Sequence, residues 1–519
     1  MTITKVTNLE HIAAYLVYAM LAYFFIALTI AFVASKIVTK EYFGVKGAAV
    51  SKYLMIIVLL QLAILLLNIN KAMLSNSIHV IWCFNGLFIL TFWQFLFQIA
   101  IVLSTLVLYC SLGWYNTVVK SDNVESDIDF LVSIVLFAGL LIIMSNDLLI
   151  AYFCVELQTI PLFAILAIYG FSLRATDASL KYFILSIMSS SMLLFGIALV
   201  YNAFGTTNFS FLKLIEFYSV QFFVFAKVKY PLFVLSARLG VGFIIVAMLF
   251  KLTAAPFNFW IVDIYNYVSY KAIVIFALLP KFSITALLIS IIANALHSPI
   301  FSADWQFFLQ ASAFLSVIVG TIGAFYHSRI SAILAFGSVS HIGFVLFSLV
   351  PLSFPLTGGL VASKFWSFFY LFSYSTSFLL LFLILFCLKI NRQPAFFLKQ
   401  LSGLALFNKP VATIVTIAVL SLAGLPPFIG FIAKFAILLE WVRQAHVLTA
   451  LAFFLTSLIS SAYYLRFVKV IWFDGIAVDS NCPKVQIEFS FYAKIVLVVL
   501  TSVINIGGLY ILFLYKYLV

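Results

Sequence analysis

The sequence predicts an all-α, polytopic membrane protein with about 14 transmembrane helices. Of its 519 residues, 65% are hydrophobic and only 9% are charged. Soluble globular chains average about 25% charged residues, so this composition excludes a protein that folds in water. Apolar stretches of about 20 residues recur along the chain, and each is long enough as a helix to cross about 30 Å of hydrocarbon.

Polar breaks between the apolar runs divide the chain into helices. Their predicted starts lie near residues 11, 52, 79, 130, 148, 180, 231, 271, 305, 330, 362, 410, 447 and 491. Most of the 29 Lys and Arg residues follow odd-numbered helices, which predicts both termini on the opposite, proton-rich side. The net charge of +13 therefore reflects topology, and its dispersal over short loops indicates no nucleic-acid surface. The first 25 residues lack the pattern of a transit peptide, so we expect a retained first span.

No motif for a metal, nucleotide or redox cofactor is found in the sequence. The five cysteines lack CxxC spacing, which indicates no zinc site, iron–sulfur site or disulfide framework: Cys83, Cys110, Cys154, Cys387 and Cys482. No GxGxxG or Walker sequence is present, so we expect this chain by itself to bind neither NADH nor ATP.

Ionisable residues inside the predicted spans are the main functional signal. Glu156 lies in FCVELQTIPLF, and Lys251, Lys281 and Lys434 lie in three other apolar segments. Lys281 and Lys434 lie about 15 Å or more from their predicted helix ends, beyond the reach of a snorkelling lysine. A charge at such depth costs at least a few kcal/mol, so each residue requires an explanation.

Two interpretations of these residues remain open. A buried Lys or Glu can be half of an ion pair that only fixes helix packing. One carboxylate cannot neutralise three lysines, however, and such groups on separate helices are typical of a proton relay. His341, in GSVSHIGF on the tenth helix, is a possible further member of this relay. The alternative for His341 is that it only packs against its neighbours, as a His near a helix end often does.

Helix breakers adjoin two of the lysines and suggest an internal repeat. Pro256 follows Lys251, and a cluster of breakers precedes Lys434: Gly424, Pro426, Pro427 and Gly430. Interrupted helices at matching positions in two halves are typical of inverted-repeat transporters. The pattern predicts two inverted five-helix repeats with broken seventh and twelfth helices.

The same pattern predicts four segments. They are 1–129 with helices one to three, 130–296 as the first repeat, 305–473 as the second, and 474–519 with helix fourteen.

Several blocks of sequence resemble one known family of respiratory subunits. They are ELQTIPLF, DASLKYFILSIMSSSMLLFGIALVYNAFGTTNF, FKLTAAPFNFWIVDIY, SRISAILAFGSVSHIGFVL, LSLAGLPPFIGFIAKF and SSAYYLRFVKVIWF, within about residues 145 to 475. In this order they resemble subunit 2 of respiratory NADH:ubiquinone oxidoreductase, complex I. Two departures are NYVS at 266–269, where the family has an acidic-Gly-Ala-Pro run, and a single Arg329 where a basic pair is usual.

The resemblance implies an antiporter-like subunit of the complex I membrane arm, related to multisubunit cation/proton antiporters. It implies a midplane proton relay made of Glu156 on the fifth helix, Lys251 on the broken seventh, Lys281 on the eighth and Lys434 on the broken twelfth. Lys rather than Glu at position 434 favours this subunit over its larger paralogue, subunit 4.

The resemblance also implies partners and a location. NADH, FMN, iron–sulfur clusters and ubiquinone are expected in other subunits. Further antiporter-like membrane-arm subunits and membrane lipid are the expected neighbours. The location implied is the mitochondrial inner membrane, with both termini facing the intermembrane space; a bacterial plasma membrane is the alternative. Two other functions stay open: a multisubunit cation/proton antiporter subunit, and a structural membrane subunit with silent ion pairs.

Overall fold

The computed structural model describes residues 55–64, 66, 80–112, 122–168, 173–213, 232–295, 299–350, 359–390, 393–474, 485–487 and 491–518. Helices dominate these residues. They are α1 (Met55–Ile64), α2 (Phe92–Leu112), α3 (Asp122–Met144), α4 (Leu148–Ile168), α5 (Leu173–Phe204), α6 (Leu232–Lys251), α7 (Ile261–Tyr267), α8 (Tyr270–Ser290), α9 (Pro299–Tyr326), α10 (Ile330–Leu349), α11 (Gly359–Cys387), α12 (Leu404–Phe407), α13 (Lys409–Ala423), α14 (Ile429–Arg443), α15 (Val447–Trp472) and α16 (Phe491–Leu518). The first predicted helix, near residue 11, lies outside the described residues.

Short elements connect these helices. A π-helical turn, Ile291–Ala295, extends α8, and a 3-10 turn covers Leu398–Leu401. The strands are β1 (Val80–Cys83), β2 (Phe88–Thr91), β3 (Leu388–Ile390), β4 (Gln393–Pro394) and β5 (Val485–Ile487). Strand β1 pairs antiparallel with β2, and β3 lies between β4 and β5 in a small antiparallel sheet.

Nine helices in the described ranges are long and apolar enough to cross a membrane. This agrees with the predicted polytopic all-α class. Helices α13 and α14 are shorter, because a single predicted span is divided between them. The inverted relation of the two five-helix sets stays a prediction.

The third predicted helix begins later than expected. The apolar run predicts a start near 79, but the chain forms a hairpin first and α2 begins at Phe92. Asn85 and Gly86 have φ values of +53° and +83°, as the hairpin turn requires. The Asn-Gly pair within CFNGLF is a hairpin signal that the hydrophobicity of its neighbours obscured.

The chain forms two compact units. One contains Met1–Leu252 and Ile275–Trp305, and the other contains Thr253–Val274 and Gln306–Val519. In the first unit α5 packs against α6, and α4 packs against α3 and α5. In the second unit α11 packs against α10, α13 and α14.

Burial separates central from peripheral helices in the second unit. In an 18-residue apolar window of Ile330–Leu349, 94% of the residues are buried, whereas only 28% are buried in such a window of Val447–Trp472. The exposed side chains of α15 are mostly apolar, including Leu448, Leu455 and Ile459. Such a surface suits contact with lipid, so we interpret α10 as a central helix and α15 as a peripheral one.

Two predicted spans are interrupted near the breakers that the sequence contains. Helix α6 ends at Lys251 and α7 begins at Ile261, with Pro256 between them. Helix α13 ends at Ala423 and α14 begins at Ile429. Gly424 adopts a φ of +75° and caps α13 through its N–H group, which donates to two carbonyls of the last turn.

Candidate functional site: buried lysines at helix interruptions

Glu156 lies midway along α4, and its side chain is 25% exposed. The helix starts immediately after Asp147, whose carboxylate accepts hydrogen bonds from the N–H groups of Leu149 (2.9 Å) and Ile150 (3.4 Å). Asp147 is thus the N-cap of this helix, where a carboxylate satisfies N–H groups that have no partner within the helix. Oε2 of Glu156 accepts a hydrogen bond from Thr159 (3.3 Å), whereas Oε1 is buried and has no hydrogen-bond donor.

Lys251 is the last residue of α6 and forms an ion pair with Glu156. Its Nζ lies 3.9 Å from Glu156 Oε1 and donates to the hydroxyl of Ser190 at 3.3 Å. The Lys251 side chain is only 6% exposed, so its charge is held away from water. The structure therefore brings together two of the residues that the sequence predicts, together with one that it does not.

A close glycine contact packs the Lys251 helix against the Ser190 helix. A Cβ added at Gly196 would lie 2.7 Å from the carbonyl oxygen of Gly240, and one added at Gly240 would lie 2.8 Å from that of Gly196. Both distances are shorter than real Cβ contacts, so each position requires glycine. The absence of side chains lets the two backbones approach, as at other small-residue crossings in membranes.

Lys281 lies inside α8 and is 3% exposed. Two residues further on, Ser283 donates to the side-chain oxygen of Gln158 at 3.0 Å. Gln158 lies two residues after Glu156, and both it and Ser283 are buried. This hydrogen bond joins the helix of Glu156 to the helix of Lys281.

Lys434 lies near the start of α14, just after the interruption that the sequence predicts in this span, because the break starts a new helix at Ile429. Its Nζ donates to the carbonyl oxygen of Ala423 at 2.9 Å and lies 5.2 Å from the centroid of the Phe344 ring. Ala423 is the last residue of α13, where carbonyls have no partner within the helix. The buried ammonium is thus stabilised by a backbone dipole and an aromatic face.

Gly430 allows α14 to approach the end of α13. A Cβ at this position would lie 1.9 Å from the carbonyl oxygen of Ser421. A Cβ at Gly424 would lie 2.7 Å from Cδ of Lys434. These glycines therefore make room for the neighbouring backbone and for the lysine chain, respectively.

His341 lies in the middle of α10, so the expectation of a His near a helix end is wrong. Both ring nitrogens are engaged: Nδ1 lies 2.8 Å from the hydroxyl of Tyr370, and Nε2 lies 3.0 Å from that of Tyr464. His341 and Lys434 line one small cavity together with Tyr370 and Ser421. The cavity has a volume of about 10 Å³, which is about the room that one water molecule needs.

Sequence reasoning missed several polar partners in this site. Ser190 belongs to the run SSS within an apolar helix, which is a usable signal. Gln158, a polar residue two positions after Glu156 in an apolar segment, is also a usable signal. Tyr370 and Tyr464 have none, because the amphipathic tyrosine ring is ordinary in a chain with 25 tyrosines. The sequence analysis also did not single out Glu440, a carboxylate near the end of α14 that is 6% exposed and pairs with Arg443 at 3.6 Å.

Among the described residues, no group of three or more His, Cys, Asp or Glu side chains could hold a metal ion. The described site contains lysines, a carboxylate, an imidazole and hydroxyls. These groups can bind and release protons, and they can orient water.

Sequence relatives share this part of the chain. The model of the family described as NADH:quinone oxidoreductase/Mrp antiporter, transmembrane, matches residues 145–460. NADH-quinone oxidoreductase subunit N 1 of Acidiphilium cryptum is 31% identical, over 66% of this chain and 68% of its own length. NADH-ubiquinone oxidoreductase chain 2 of Marchantia polymorpha is 31% identical, over 64% of this chain and 65% of its own length. Both alignments thus span about two thirds of each protein.

Solved structures share the fold over nearly the whole chain. A chain of respiratory complex I from Thermus thermophilus with bound aureothin has a TM-score of 0.71 and 22% identity, covering 95% of this chain and 96% of that chain. A chain of the membrane-bound sulfane sulfur reductase, an archaeal respiratory membrane complex, has a TM-score of 0.78 and 19% identity, covering 97% and 96%. A chain of the Mrp complex from Dietzia sp. DQ12-45-1b has a TM-score of 0.71 and 19% identity, covering 96% and 95%. At these identities the likeness establishes the fold alone.

Proposed function

Because the chain belongs to the NADH:quinone oxidoreductase/Mrp antiporter transmembrane family, we propose that it is a proton-translocating subunit in the membrane arm of complex I. Its relatives are named subunit N in bacteria and chain 2 in Marchantia polymorpha, so subunit 2 is the member that we assign. Its neighbours are then other membrane-arm subunits, including further antiporter-like ones, and membrane lipid.

The observation that carries this proposal is the ion pair of Glu156 and the buried Lys251 side chain, 3.9 Å apart at a helix interruption. At this distance the two groups attract each other electrostatically without a direct hydrogen bond, so their separation can change without a hydrogen bond being broken. Lys251 is the last residue of its helix, so the backbone after it is not held by continuous helical hydrogen bonds. Such a position suits a counter-ion contact that opens and closes.

In the mechanism that we propose, Glu156 controls the proton on Lys251. When the carboxylate is close, it stabilises the ammonium form; when it withdraws, the buried charge loses its partner and the proton leaves. Lys281 and then Lys434 receive the proton, and Lys434 releases it toward the proton-rich side. His341 assists at Lys434, with which it shares a cavity.

The energies are compatible with this role. Moving one charge against about 150 mV costs about 3.5 kcal/mol. Leaving the Lys251 ammonium without its partner costs about 2–3 kcal/mol, because Glu156 is 25% exposed, so separating the pair is comparable in magnitude. In this proposal the energy comes from redox chemistry elsewhere in the complex. NADH, FMN, iron–sulfur clusters and ubiquinone are bound by other subunits.

The location is part of the same proposal. We assign the chain to the mitochondrial inner membrane, with both termini facing the intermembrane space. The bacterial plasma membrane is the alternative, because the named relatives come from bacteria as well as from Marchantia polymorpha.

Replacing Lys251 by Met in the assembled complex tests the proposal. We expect the number of protons translocated per NADH oxidised in proteoliposomes to fall, because Met has the length of Lys but cannot carry a proton. Lys213→Met, at an exposed lysine, is the matched control and should leave the ratio unchanged. A normal ratio in fully assembled Lys251→Met complex would favour a structural subunit with silent ion pairs and reject the relay.

A cation/proton antiporter subunit is the second candidate. The family description includes the Mrp antiporter, and a chain of the Mrp complex shares the fold. An antiporter exchanges ions down an imposed gradient without electron transfer. We expect proton movement in proteoliposomes to stop when NADH oxidation is blocked; exchange that continues under an imposed Na⁺ gradient would instead favour the antiporter.

A further inference from the structure

We propose that Tyr370, His341 and Tyr464 form a hydroxyl–imidazole–hydroxyl unit that carries protons beside Lys434 and admits no metal cation. The proposal rests on the proposed function of this chain in proton transfer, and it adds two tyrosines as proton carriers. Neither tyrosine attracts attention in the sequence, where both lie in long apolar helices.

The first support is the geometry around His341. Three different helices, α10, α11 and α15, supply His341, Tyr370 and Tyr464. All three side chains are buried, at 5%, 2% and 2% exposure. The two hydroxyls reach the two ring nitrogens at 2.8 and 3.0 Å, so a hydrogen-bonded path crosses the imidazole from one side to the other.

The second support is the chemistry of a neutral imidazole with a hydroxyl on each nitrogen. Such a ring has a hydrogen on one nitrogen and a lone pair on the other. When a proton arrives from one tyrosine, an N–H bond forms at the nearer nitrogen, and the N–H bond at the other nitrogen breaks. Each hydroxyl receives one proton and gives one, so no ring retains a net charge. Reorientation of the hydroxyls and return of the imidazole to its first tautomer prepare the unit for the next proton.

The third support is that the chain makes room for the hydroxyls of this unit. A Cβ added at Gly337, one helical turn before His341, would lie 2.7 Å from the hydroxyl oxygen of Tyr464 and 3.6 Å from that of Tyr463. The Tyr463 hydroxyl in turn lies 3.4 Å from that of Ser340. Gly337 therefore leaves the room that the Tyr464 hydroxyl occupies, and a second pair of hydroxyls lies on the same side of α10.

The fourth support is the cavity that joins this unit to Lys434. His341, Tyr370 and Lys434 line it, together with the hydrogen-bonded hydroxyls of Ser377 and Ser421, which lie 2.8 Å apart. Its size suits one water molecule, which would connect an amine to a hydroxyl or an imidazole. A hydrated Na⁺ is too large for this cavity. Among the described residues that line it there is no Asp or Glu whose oxygens could replace the water around Na⁺. The unit thus selects protons.

The experiment uses the whole complex in proteoliposomes, with Tyr370→Phe and Tyr464→Phe made separately and together. Each change removes one oxygen atom and keeps the ring. We expect fewer protons translocated per NADH oxidised, with proton transfer through this subunit slowed about 100-fold, the usual scale for a lost proton-transfer group. The solvent deuterium isotope effect on proton translocation should increase, because transfer at the altered site becomes rate-limiting. Replacing Na⁺ by choline should change nothing in any variant.

Two further variants separate transfer from packing. Tyr270→Phe removes another buried hydroxyl, which donates to the carbonyl of Ala395, and should lower stability while leaving the proton ratio and isotope effect unchanged. Gly337→Ala keeps every hydroxyl but displaces that of Tyr464, and should reproduce the defect of Tyr464→Phe. Equal losses of ratio in Tyr270→Phe and Tyr464→Phe would overturn the inference.

Lys434→Met distinguishes failure of this inference from failure of the proposed function. If Lys434→Met lowers the proton ratio while both tyrosine variants behave like the unmodified complex, the tyrosines do not carry protons and the inference is wrong. If Lys434→Met and Lys251→Met both leave the ratio normal, the proposed function itself is wrong. A ratio that depends on Na⁺ would refute the selectivity for protons.

Discussion

Lys251 and Lys434 each lie beside a helix interruption with the ammonium group near the carboxyl-terminal end of a helix, yet their partners differ. Lys251 is itself the last residue of α6, and Lys434 donates to the carbonyl of Ala423, the last residue of α13. Such helix ends carry about half a negative elementary charge, which favours an ammonium group. In addition, Lys251 has a carboxylate, Glu156, at 3.9 Å, whereas Lys434 has the ring of Phe344 at 5.2 Å.

The two lysines differ in whether the charge or position of their partner can change. A carboxylate can take up a proton, rotate or move with its helix, and its charge or distance then alters the neighbouring lysine. A backbone carbonyl and an aromatic ring keep the same charge throughout. We therefore interpret the site of Lys251 as adjustable and the site of Lys434 as constant, with His341 and its tyrosines as the groups that exchange protons there.

Gly430→Ala should have the largest effect and would show how far the constant site depends on its interruption. The added Cβ would lie 1.9 Å from the carbonyl oxygen of Ser421, so the end of α13 must move. We expect a loss of about 3 kcal/mol or more, measured as less assembled subunit and a lower thermal unfolding temperature. Gly507→Ala is the matched control in a helix: its Cβ would lie 3.5 Å from the nearest atom, and the change should be neutral or stabilising.

Glu156→Gln tests the adjustable site and should have the next largest effect. It leaves the Lys251 ammonium buried without its carboxylate, which costs about 2–3 kcal/mol, less than for a fully buried pair because Glu156 is 25% exposed. The double variant with Lys251→Met should recover most of this loss, because it removes the stranded charge as well. The readout is the temperature at which the subunit unfolds in the purified complex. A double variant no more stable than Glu156→Gln would show that the two side chains do not act as a pair.

Phe344→Leu tests whether the aromatic ring beside Lys434 stabilises its ammonium group. Removing the ring should cost about 1–2 kcal/mol of interaction with the buried ammonium, and should lower proton translocation. Phe347→Leu is the control, since its ring stacks on Trp441 at 4.1 Å. It should lower the unfolding temperature and leave the proton ratio normal. An equal loss of proton transfer in both variants would assign the effect to packing alone.

Ser190→Ala should have the smallest effect. Lys251 Nζ loses a hydroxyl acceptor at 3.3 Å but keeps Glu156, so we expect a cost of about 1 kcal/mol and a modest fall in the rate of proton translocation. Ser191→Ala is the neighbouring control, because that hydroxyl is exposed and bonds only within its own helix, to the carbonyl of Met188. A loss in Ser191→Ala as large as that in Ser190→Ala would remove Ser190 from the site.

Much of the fold was predictable because hydropathy fixes which segments enter the membrane. Helix α4 begins at Leu148 and α15 at Val447, both at the predicted starts. The interruptions at Pro256 and Gly424 were predictable too, since proline lacks a donor and glycine tolerates a positive φ. The hairpin before α2 was not predicted, because a strongly apolar strand pair and a buried helix give the same hydropathy signal.

The candidate site was only partly predictable. Glu156 and the three lysines could be found from the sequence because an ionisable group is costly in hydrocarbon wherever it is packed. The contacts of Lys434 with the end of α13 and with Phe344 were not predictable, since they depend on how the start of α14 meets its neighbours. The role of Tyr370 and Tyr464 was invisible, because a tyrosine in an apolar helix is ordinary until its hydroxyl is seen to reach a histidine.

By itself, the amino-acid sequence determined the environment of this chain, the segments that cross it, and the acid and bases that lie within them. These properties follow from transfer free energies and backbone sterics, which act residue by residue. Only the tertiary structure decided that Lys251 meets Glu156 and Ser190, and that both nitrogens of His341 meet tyrosines. Those contacts join residues far apart in the chain, so they depend on helix crossings and glycine gaps that no local pattern specifies.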